Sequence, residues 1–288
     1  MKIGFADRYL NNWHCDHYPG FLREVIAREG LDAEVTHAFG ILDAPPGGGL
    51  PSEAWCRERN MTLCGSMEEL VDSVDAICVI AADDARWHEE VCQLPLRSGK
   101  PVFVDKTFAP DLETGKRLFA LAEEHGTPVF SSSAQRYCQD LLDWQAHHPE
   151  HPRFVSTVGP HTLDSYAVHQ LEPIVALMGP GVKRVKGFAV GSQVTQLILD
   201  YGDGRLASFC QTPQPWAEFN FMVSDGETCQ RLVSDDGNFY HNLVHVILEF
   251  FRTLKVPVPR EETLEILALI DAARLARQQP DTWLEIRD

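Results

Sequence analysis

Polar and charged residues follow three apolar runs of the chain, at the points where strands are expected to end. They are Asp83, Asp84 and His88 after AICVIAA, Asp105, Lys106 and Thr107 after PVFV, and Gln135, Arg136 and Tyr137 after PVFSSS. A lysine that directly follows a buried strand can have its pKa tuned by desolvation, so Lys106 is a candidate for proton transfer. A surface ion pair at a strand end is the alternative, and position alone leaves both open.

The first half of the chain alternates apolar strands with amphipathic helices. Strands are predicted at 2–6, 33–39, 75–82, 101–105 and 128–133, with helices at 20–29, 52–60, 66–74, 85–98 and 111–126. This order predicts a doubly wound parallel sheet with helices on both faces, in an α/β domain over residues 1–136. Such sheets bind ligands outside the carboxyl ends of their strands, where the polar residues above are expected.

The second half of the chain has a different pattern. Strands separated by hairpin signals are predicted between residues 153 and 235, followed by helices at 239–254 and 261–278. This pattern predicts an α+β domain over 137–288 with an open, mostly antiparallel sheet. The two helices can cover one face of the sheet, so the other face is expected to need cover from elsewhere.

Several stretches of the chain resemble one family of oxidoreductases. GKPVFVDKTFAPDLETGKRLFALAEEHGTPVFSSSAQRY resembles the G-K-x-V-x-x-E-K-P segment and following helix of the glucose-fructose oxidoreductase, inositol dehydrogenase and MocA-like (Gfo/Idh/MocA) family. AADDARWHEEV is similar to its T-P-N-x-x-H turn, and SYAVHQLEPIVALMGPGVKRVKGFA to its D-x-G-x-H-x-x-D helix and next strand. The resemblance runs nearly end to end. It implies a Rossmann-like dinucleotide-binding domain followed by an α+β substrate and dimerisation domain.

The resemblance implies catalytic roles for three residues. Lys106 stands at the lysine that hydrogen-bonds the reacting hydroxyl, His169 at the acid/base histidine, and Glu172 at the aspartate one helical turn further on. An imidazole with a pKa near neutrality can accept a hydroxyl proton, and a carboxylate at i+3 lies on the same helix face. His161 and Asp164 also form H-x-x-D, but the apolar helix follows His169, which we therefore prefer.

Binding residues follow from the same resemblance. The predicted substrate-binding residues are Arg136, Tyr137 and Ser165, and the predicted cofactor-binding residues are Asp7, Arg8, Asp83, His88 and Asp105. The implied chemistry is hydride transfer between NAD or NADP and a hydroxyl-bearing carbon of a sugar, cyclitol or related polyol. The particular substrate and the choice between NAD and NADP are left open.

The turn after the first strand departs from the family. Asp7, Tyr9 and Asn12 stand where a dinucleotide-binding turn has three glycines, which let backbone N–H groups approach the pyrophosphate. The second strand, which ends in THAFG, offers no clear acidic partner for the ribose, and Asp43 beyond it is only a weak candidate. We therefore expect atypical, weak binding of NAD or NADP, with a Kd at or above roughly 100 μM. The alternative is that Arg8 builds a different anion site.

Composition disfavours several classes of partner. The formal net charge of −17 over 288 residues disfavours nucleic acid and anionic membranes. No apolar run is long enough to span a membrane, and the eight cysteines are scattered without C-x-x-C, so a cytoplasmic location is expected. His14, Cys15 and His17 could bind zinc, but they lack a clear fourth ligand, so no metal is predicted.

Two functions of different classes are open. The first is an NAD(P)-dependent oxidoreductase with a remodelled phosphate turn, in which Lys106 and His169 face one small ligand. The second is a non-catalytic relative that binds a small polar ligand or a partner through the same crevice, which the loss of the glycines favours. For either function, the resemblance implies a homodimer, or a dimer-based oligomer, through the open sheet of the second domain.

Overall fold

The computed structural model divides the chain into two compact units. The residues that it describes are 1–81, 84–191, 194–215, 217–234 and 237–286. The first unit comprises Met1–Ser132 and Leu243–Pro259, and the second comprises Ser133–Asn242 and Arg260–Asp288. Asp83, one of the predicted cofactor-binding residues, lies outside the described residues. The division into functional domains at residues 136 and 137 stays a prediction.

The first unit is built on a parallel sheet of six strands. Its elements in chain order are β1 (Lys2–Asp7), α1 (Trp13–Glu29), β2 (Glu34–Gly40), α2 (Ser52–Glu58), β3 (Thr62–Leu63), α3 (Met67–Ser73), β4 (Ala76–Val79), α4 (His88–Val91), β5 (Val102–Asp105), α5 (Leu112–Glu124) and β6 (Val129–Ser132). The strand order β3-β2-β1-β4-β5-β6 reverses between β1 and β4, and all these pairs are parallel. The predicted Rossmann-like doubly wound sheet is confirmed.

The start of α1 differs from the sequence prediction. The helix begins at Trp13 rather than at residue 20, because the Asn12 side chain caps it by accepting a hydrogen bond from the N–H of Cys15. Pro19 lies inside the helix. A proline usually interrupts a helix, so the sequence favours a start beyond it. The β1–α1 turn is therefore short and ends at a capped helix N-terminus.

The helix predicted over residues 85–98 is also different. Only His88–Val91 is α-helical, and tighter 3₁₀ turns lie before it at Ala85–Trp87 and after it at Pro95–Arg97. Pro95 has no N–H to continue the helical ladder, which explains the break. His88 thus opens a very short helix just after β4.

The second unit is built on a mixed sheet of seven strands. Its elements are α6 (Gln139–His147), β7 (Phe154–Gly159), α7 (Leu163–Tyr166), α8 (Val168–Met178), β8 (Arg184–Phe188), β9 (Thr195–Asp200), β10 (Leu206–Gln211), β11 (Asn220–Ser224), β12 (Cys229–Leu232), α9 (Phe239–Thr253, mostly in the first unit), α10 (Arg260–Gln278) and β13 (Trp283–Glu285). The strand order is β12-β11-β7-β10-β9-β8-β13. Only the β7–β10 pairing among these strands is parallel, so the predicted open, mostly antiparallel sheet is confirmed.

The two faces of this second sheet differ in how far their side chains are buried. One face contributes buried side chains such as Val155 and Phe209 to the core that also contains residues of α8 and α10. The other face carries exposed apolar side chains on neighbouring strands. Leu206 pairs with Phe154, and Met222 lies on the next strand, with 39%, 36% and 45% of these residues exposed. Strand alternation produces this division, as the sequence predicts.

Candidate functional site

Asp7 fills the turn between β1 and α1. The residue is 1% exposed. Its carboxylate accepts hydrogen bonds from the backbone N–H groups of Arg8 at 2.5 Å and Tyr9 at 3.4 Å. It also accepts from the Asn12 side chain at 2.8 Å and from the Cys15 thiol at 3.1 Å. Donors of the turn are therefore directed at an anion that belongs to the chain itself.

Burial of Asp7 gives its carboxyl group an unusual pKa. Desolvation raises the pKa from 3.8 to about 6, against the hydrogen bonds from Cys15, Asn12, Arg8 and Tyr9, which lower it. The group is thus mostly ionised at pH 7. Its proton is bound more tightly in the folded protein than in the unfolded chain.

This shift predicts a stability that depends on pH. The folded protein holds the Asp7 proton up to about pH 6, so its contribution is full below pH 4 and is lost as the pH rises from about 4 to about 6. Asp7→Asn removes this contribution. We expect the difference in unfolding free energy, wild type minus Asp7→Asn, to fall by about 3 kcal/mol over that range. Urea unfolding at several pH values measures it, with Asp72→Asn, an exposed site on α3, as the control.

The Arg8 guanidinium lies against a tryptophan ring of another segment. Its guanidinium carbon lies 3.4 Å from the centroid of the Trp87 ring, in the 3₁₀ turn after β4. The hydrogen bond from Arg86 and, to a smaller extent, the charge of Arg8 hold the pKa of Asp84 below its usual value. Arg8 therefore links the β1–α1 turn to the segment after β4.

Asp105 ends β5 as a fully buried carboxylate. One carboxylate oxygen lies against the Nδ1 atom of His14 on α1, and the other accepts the backbone N–H of Lys106 at 2.9 Å. Burial would raise the pKa of Asp105, but His14 and then the Lys106 ammonium hold it below its usual value. Lys106 is 8% exposed, and the Lys106–Thr107 peptide bond is cis. The structure thus brings Asp105, Lys106 and His14 together.

His88 is completely buried behind the strand ends. Its Nε2 atom lies 2.7 Å from the carbonyl oxygen of Ile80, and its Nδ1 atom lies 2.8 Å from that of Thr107 and 3.1 Å from that of Phe108. Burial lowers the pKa of His88, and the carbonyl oxygens of Ile80, Thr107 and Phe108 oppose that shift. The side chain therefore ties the segment after β4 to the segment after Lys106. Contact with a cofactor stays a prediction for His88.

His169 on α8 is held by a serine in the second unit. Its Nδ1 atom lies 2.7 Å from the Oγ atom of Ser133, which also accepts the N–H of Gln135 at 3.2 Å. The ring is half-buried and meets the rings of Tyr166 and Phe219 edge-on, at centroid distances of 5.0 and 5.7 Å. Ser133 and the aromatic rings together fix the orientation of the imidazole.

Glu172 anchors a buried charge network one turn along α8. It is 3% exposed and accepts the N–H of Ser133 at 3.2 Å and the Nε–H of Arg136 at 2.6 Å. The other end of the Arg136 guanidinium lies 2.7 Å from Glu262 on α10. Burial alone would lower the pKa of Arg136, but the two carboxylates hold it above its ordinary value. Arg136 is therefore a permanent cation between two acids.

The other predicted substrate residues are placed differently. Tyr137 is 6% exposed, and its backbone carbonyl accepts a hydrogen bond from the Asn242 side chain at 2.9 Å. Ser165 is exposed on α7, where its hydroxyl lies 2.7 Å from that of Thr162. The structure groups His169, Glu172 and Arg136 within the second unit, but Ser165 is outside their hydrogen-bond network. The expected meeting of Lys106 and His169 at one ligand stays a prediction.

Three partners in these networks are missed by the sequence analysis. Ser133 ends the run PVFSSS three residues before Arg136, and a hydroxyl at that position is a usable signal. The spacing of His14, Cys15 and His17 indicates only a possible metal ligand, yet His14 pairs with Asp105. Glu262 gives no local signal, because its partner Arg136 is distant in the chain.

The described residues contain neither a metal-binding cluster nor a membrane-spanning helix. Over the described ranges, no group of three or more His, Cys, Asp and Glu side chains could hold a metal ion. His14 and Cys15 instead contact the carboxylates of Asp105 and Asp7. Within the same ranges, no helix combines the length and apolar character needed to cross a membrane.

Residues 22–133 match the model of an oxidoreductase family with an NAD-binding Rossmann fold, named GFO_IDH_MocA. This part of the chain belongs to the Gfo/Idh/MocA family. An uncharacterized oxidoreductase of Escherichia coli strain K12, YhhX, is 34% identical to the chain over 71 residues. That stretch covers 25% of this chain and 21% of the length of YhhX.

Solved dehydrogenases share the fold over nearly the whole chain. UDP-N-acetylglucosamine 3-dehydrogenase GnnA from Acidithiobacillus ferrooxidans is 12% identical, with a TM-score of 0.78 and 96% and 97% of the two chains covered. Myo-inositol 2-dehydrogenase from Lactobacillus plantarum is 12% identical, with a TM-score of 0.76 and coverage of 100% and 99%. GenD2 from gentamicin A biosynthesis, solved with NAD, is 10% identical, with a TM-score of 0.78 and coverage of 100% and 97%. At these identities the likeness is one of fold.

The dinucleotide that a Gfo/Idh/MocA protein implies does not fit the β1–α1 turn of this chain. A dinucleotide turn offers its backbone N–H groups to the pyrophosphate. Here the N–H groups of Arg8 and Tyr9 face the Asp7 carboxylate, which lies where an incoming anion needs them. The Asp7 carboxylate and a pyrophosphate at such short range would repel each other strongly in a partly desolvated site. At the end of β5, by contrast, Lys106 supplies a cation.

Proposed function

We propose that the chain is an oxidoreductase acting on a hydroxyl-bearing carbon of a sugar, cyclitol or related polyol, with NAD or NADP as a weakly or atypically bound cofactor. Membership of residues 22–133 in the Gfo/Idh/MocA family supports the reaction class. The names of two structural neighbours, a UDP-N-acetylglucosamine dehydrogenase and a myo-inositol dehydrogenase, support the substrate class.

The orientation of His169 is the observation that carries this proposal. Oxidation of an alcohol requires a base that removes the hydroxyl proton. Ser133 Oγ lies 2.7 Å from Nδ1 of His169. In this proposal the Nδ1–H donates to that oxygen, which leaves the lone pair on Nε2 to accept the hydroxyl proton. Glu172 accepts a hydrogen bond from the backbone N–H of Ser133, which keeps the Ser133 hydroxyl in place beside His169. In this proposal Lys106 hydrogen-bonds the reacting hydroxyl.

A turnover assay tests the proposal. The purified protein is incubated with NAD or NADP at millimolar concentration and with a panel of sugars and cyclitols, and reduced nicotinamide is measured by absorbance. We expect oxidation of at least one polyol, abolished by Lys106→Met. The proposed enzymatic function is contradicted if calorimetry shows that the polyols bind but none of them is oxidised.

A positioning role is predicted for Ser133. Ser133→Ala is expected to lower kcat about tenfold or more with little change in KM, because the imidazole loses its orientation. Ser133→Thr keeps the hydroxyl and should keep most of the activity. Nitrogen NMR of the His169 ring is expected to show the Nδ1–H tautomer in the wild type. The Nε2–H tautomer, or equal kcat in Ser133→Ala, contradicts the role.

A second function is favoured by the Asp7-filled turn. In this alternative the chain is a non-catalytic relative that binds a small polar ligand or a partner with the same residues. It predicts polyol binding without turnover at any attainable dinucleotide concentration. The assay above and calorimetry with each dinucleotide therefore distinguish the two functions.

A homodimer, or an oligomer built from dimers, is proposed through the open sheet of the second unit. Phe154, Leu206 and Met222 place exposed apolar surface on three neighbouring strands, β7, β10 and β11. We expect sedimentation at micromolar concentration to give at least twice the 32.4 kDa of one chain, and Leu206→Lys to shift the protein toward the monomer. A wild-type protein that sediments only as a monomer contradicts this assembly.

The cytoplasmic location stays a prediction.

A further inference from the structure

The β1–α1 turn already contains an anion. We propose that Asp7 is the residue that excludes the pyrophosphate of NAD and NADP from this turn, because its carboxylate takes both the place and the donors of that pyrophosphate. The inference explains the proposed weak cofactor binding, but it concerns binding alone and is tested without any turnover.

The first support is the use of the turn's hydrogen-bond donors. The Asp7 carboxylate accepts from two successive backbone N–H groups, those of Arg8 and Tyr9. Successive N–H groups before a helix form the concave site that binds phosphate in nucleotide-binding proteins. In this chain they are bonded to a side chain that is fixed in place by burial.

The second support is the cap of α1. The Asn12 side chain accepts the N–H of Cys15 at 3.1 Å and donates to Asp7 Oδ2 at 2.8 Å and to the carbonyl of Tyr9 at 2.9 Å. The favourable field of the helix N-terminus therefore acts on Asp7. An incoming pyrophosphate would have to displace both side chains, and it would meet a carboxylate of the same sign.

The third support comes from the segment between β2 and α2, which lies against the same turn. The N–H of Ile41 donates to the carbonyl of Asp7 at 3.1 Å, and that of Leu42 donates to the carbonyl of Arg8 at 2.6 Å. Further along, the N–H of Leu50 donates to the Asn11 side chain at 2.8 Å. The segment therefore holds the backbone of the turn in its present conformation, in which the N–H groups of Arg8 and Tyr9 face the Asp7 carboxylate.

Asp7 excludes the pyrophosphate, which NAD and NADP have in common. It therefore predicts similar weak binding of both, rather than a preference between them. Asp43, the candidate partner for the ribose, is engaged as well, since it accepts the N–H of Ser52 at 3.1 Å at the start of α2.

Calorimetry with NAD and NADP on four proteins tests the inference. We expect a Kd at or above roughly 100 μM for the wild type and at least about tenfold tighter binding for Asp7→Gly, which removes charge and bulk. Asp7→Asn, which removes only the charge, should give a smaller gain. Asp72→Asn, an exposed change on α3, should bind as the wild type does.

The pH dependence of binding gives a second readout, which does not depend on the folding of Asp7→Gly. The titratable or charged groups around Asp7 are Cys15 on α1, Arg8 in the turn, and the Asp105–His14 pair at the end of β5. NAD carries no terminal phosphate that titrates near neutrality. Because the pKa of Asp7 is about 6, wild-type affinity for NAD should rise as the pH falls from 8 to 5.5, and Asp7→Asn should lose most of that rise.

Three outcomes overturn the inference. The first is tight wild-type binding that is lost in Arg8→Ala, which would show that Arg8 builds a separate anion site. The second is a folded Asp7→Gly protein, checked by circular dichroism, with unchanged affinity. The third, decisive if Asp7→Gly does not fold, is wild-type affinity that does not change with pH. Failure of the polyol assay leaves all three readouts intact, so the two proposals fail separately.

Discussion

Replacement of His169 by asparagine is expected to slow polyol oxidation by about 10²–10⁴-fold, the usual contribution of a general base. The physical reason is the loss of the proton acceptor, since asparagine has no basic ring nitrogen. Binding of the polyol should change little, because the amide keeps hydrogen-bonding capacity at the same site. Steady-state kinetics and calorimetry on the same preparation separate the two effects.

His147→Asn is the matched control for this prediction, since His147 is an exposed histidine on α6 in the same unit. It should leave kcat unchanged. The assignment is contradicted if His169→Asn raises KM and leaves kcat intact, because the side chain would then only bind substrate.

Replacement of Arg136 by methionine is expected to lower the free energy of unfolding by about 3–5 kcal/mol. Methionine fills similar volume but leaves Glu172 and Glu262, whose side chains are 4% and 17% exposed, without the cation between them. Urea unfolding monitored by circular dichroism measures the loss. A second change, Glu262→Gln, should restore part of it in Arg136→Met, because it removes one of the stranded charges.

The control is Arg252→Met, which removes an arginine from an exposed pair with Glu249 on α9. Exposed pairs contribute less than about 1 kcal/mol. Equal losses in the two variants would contradict the view that burial makes the Arg136 network costly to break.

The fold could be predicted because its signals are local. Apolar runs at β4, β5 and β6 are buried along their whole length, so strand type and the position of strand ends follow from the residues alone. Polar residues at those ends were therefore placed at the correct edge of the sheet. The start of α1 could not be placed, because the Asn12 cap outweighs the signal of Pro19.

The partners of the site residues were harder to predict, because pairing depends on distance in space. The sequence predicts Arg136 as a site residue. Its partner Glu262 cannot be predicted, because the two residues lie on elements that are far apart in the chain. Asp7 was recognised as out of place in a glycine turn. Asp7 accepts two backbone N–H groups because of the dihedral angles of the turn. These angles cannot be predicted from the residue types.

The first unit is assembled from two separate stretches of chain. Leu243–Pro259 returns to Met1–Ser132, and the Phe250 ring meets Phe130 of β6 edge-on at a centroid distance of 4.9 Å. On the ribosome, the first stretch emerges long before Phe250 has been synthesised. Until then Phe130 lacks this neighbour, and the first unit lacks the stretch Leu243–Pro259 that completes it. Such exposed apolar surface is what chaperones hold during translation, so this chain is expected to depend on them until its synthesis is almost complete.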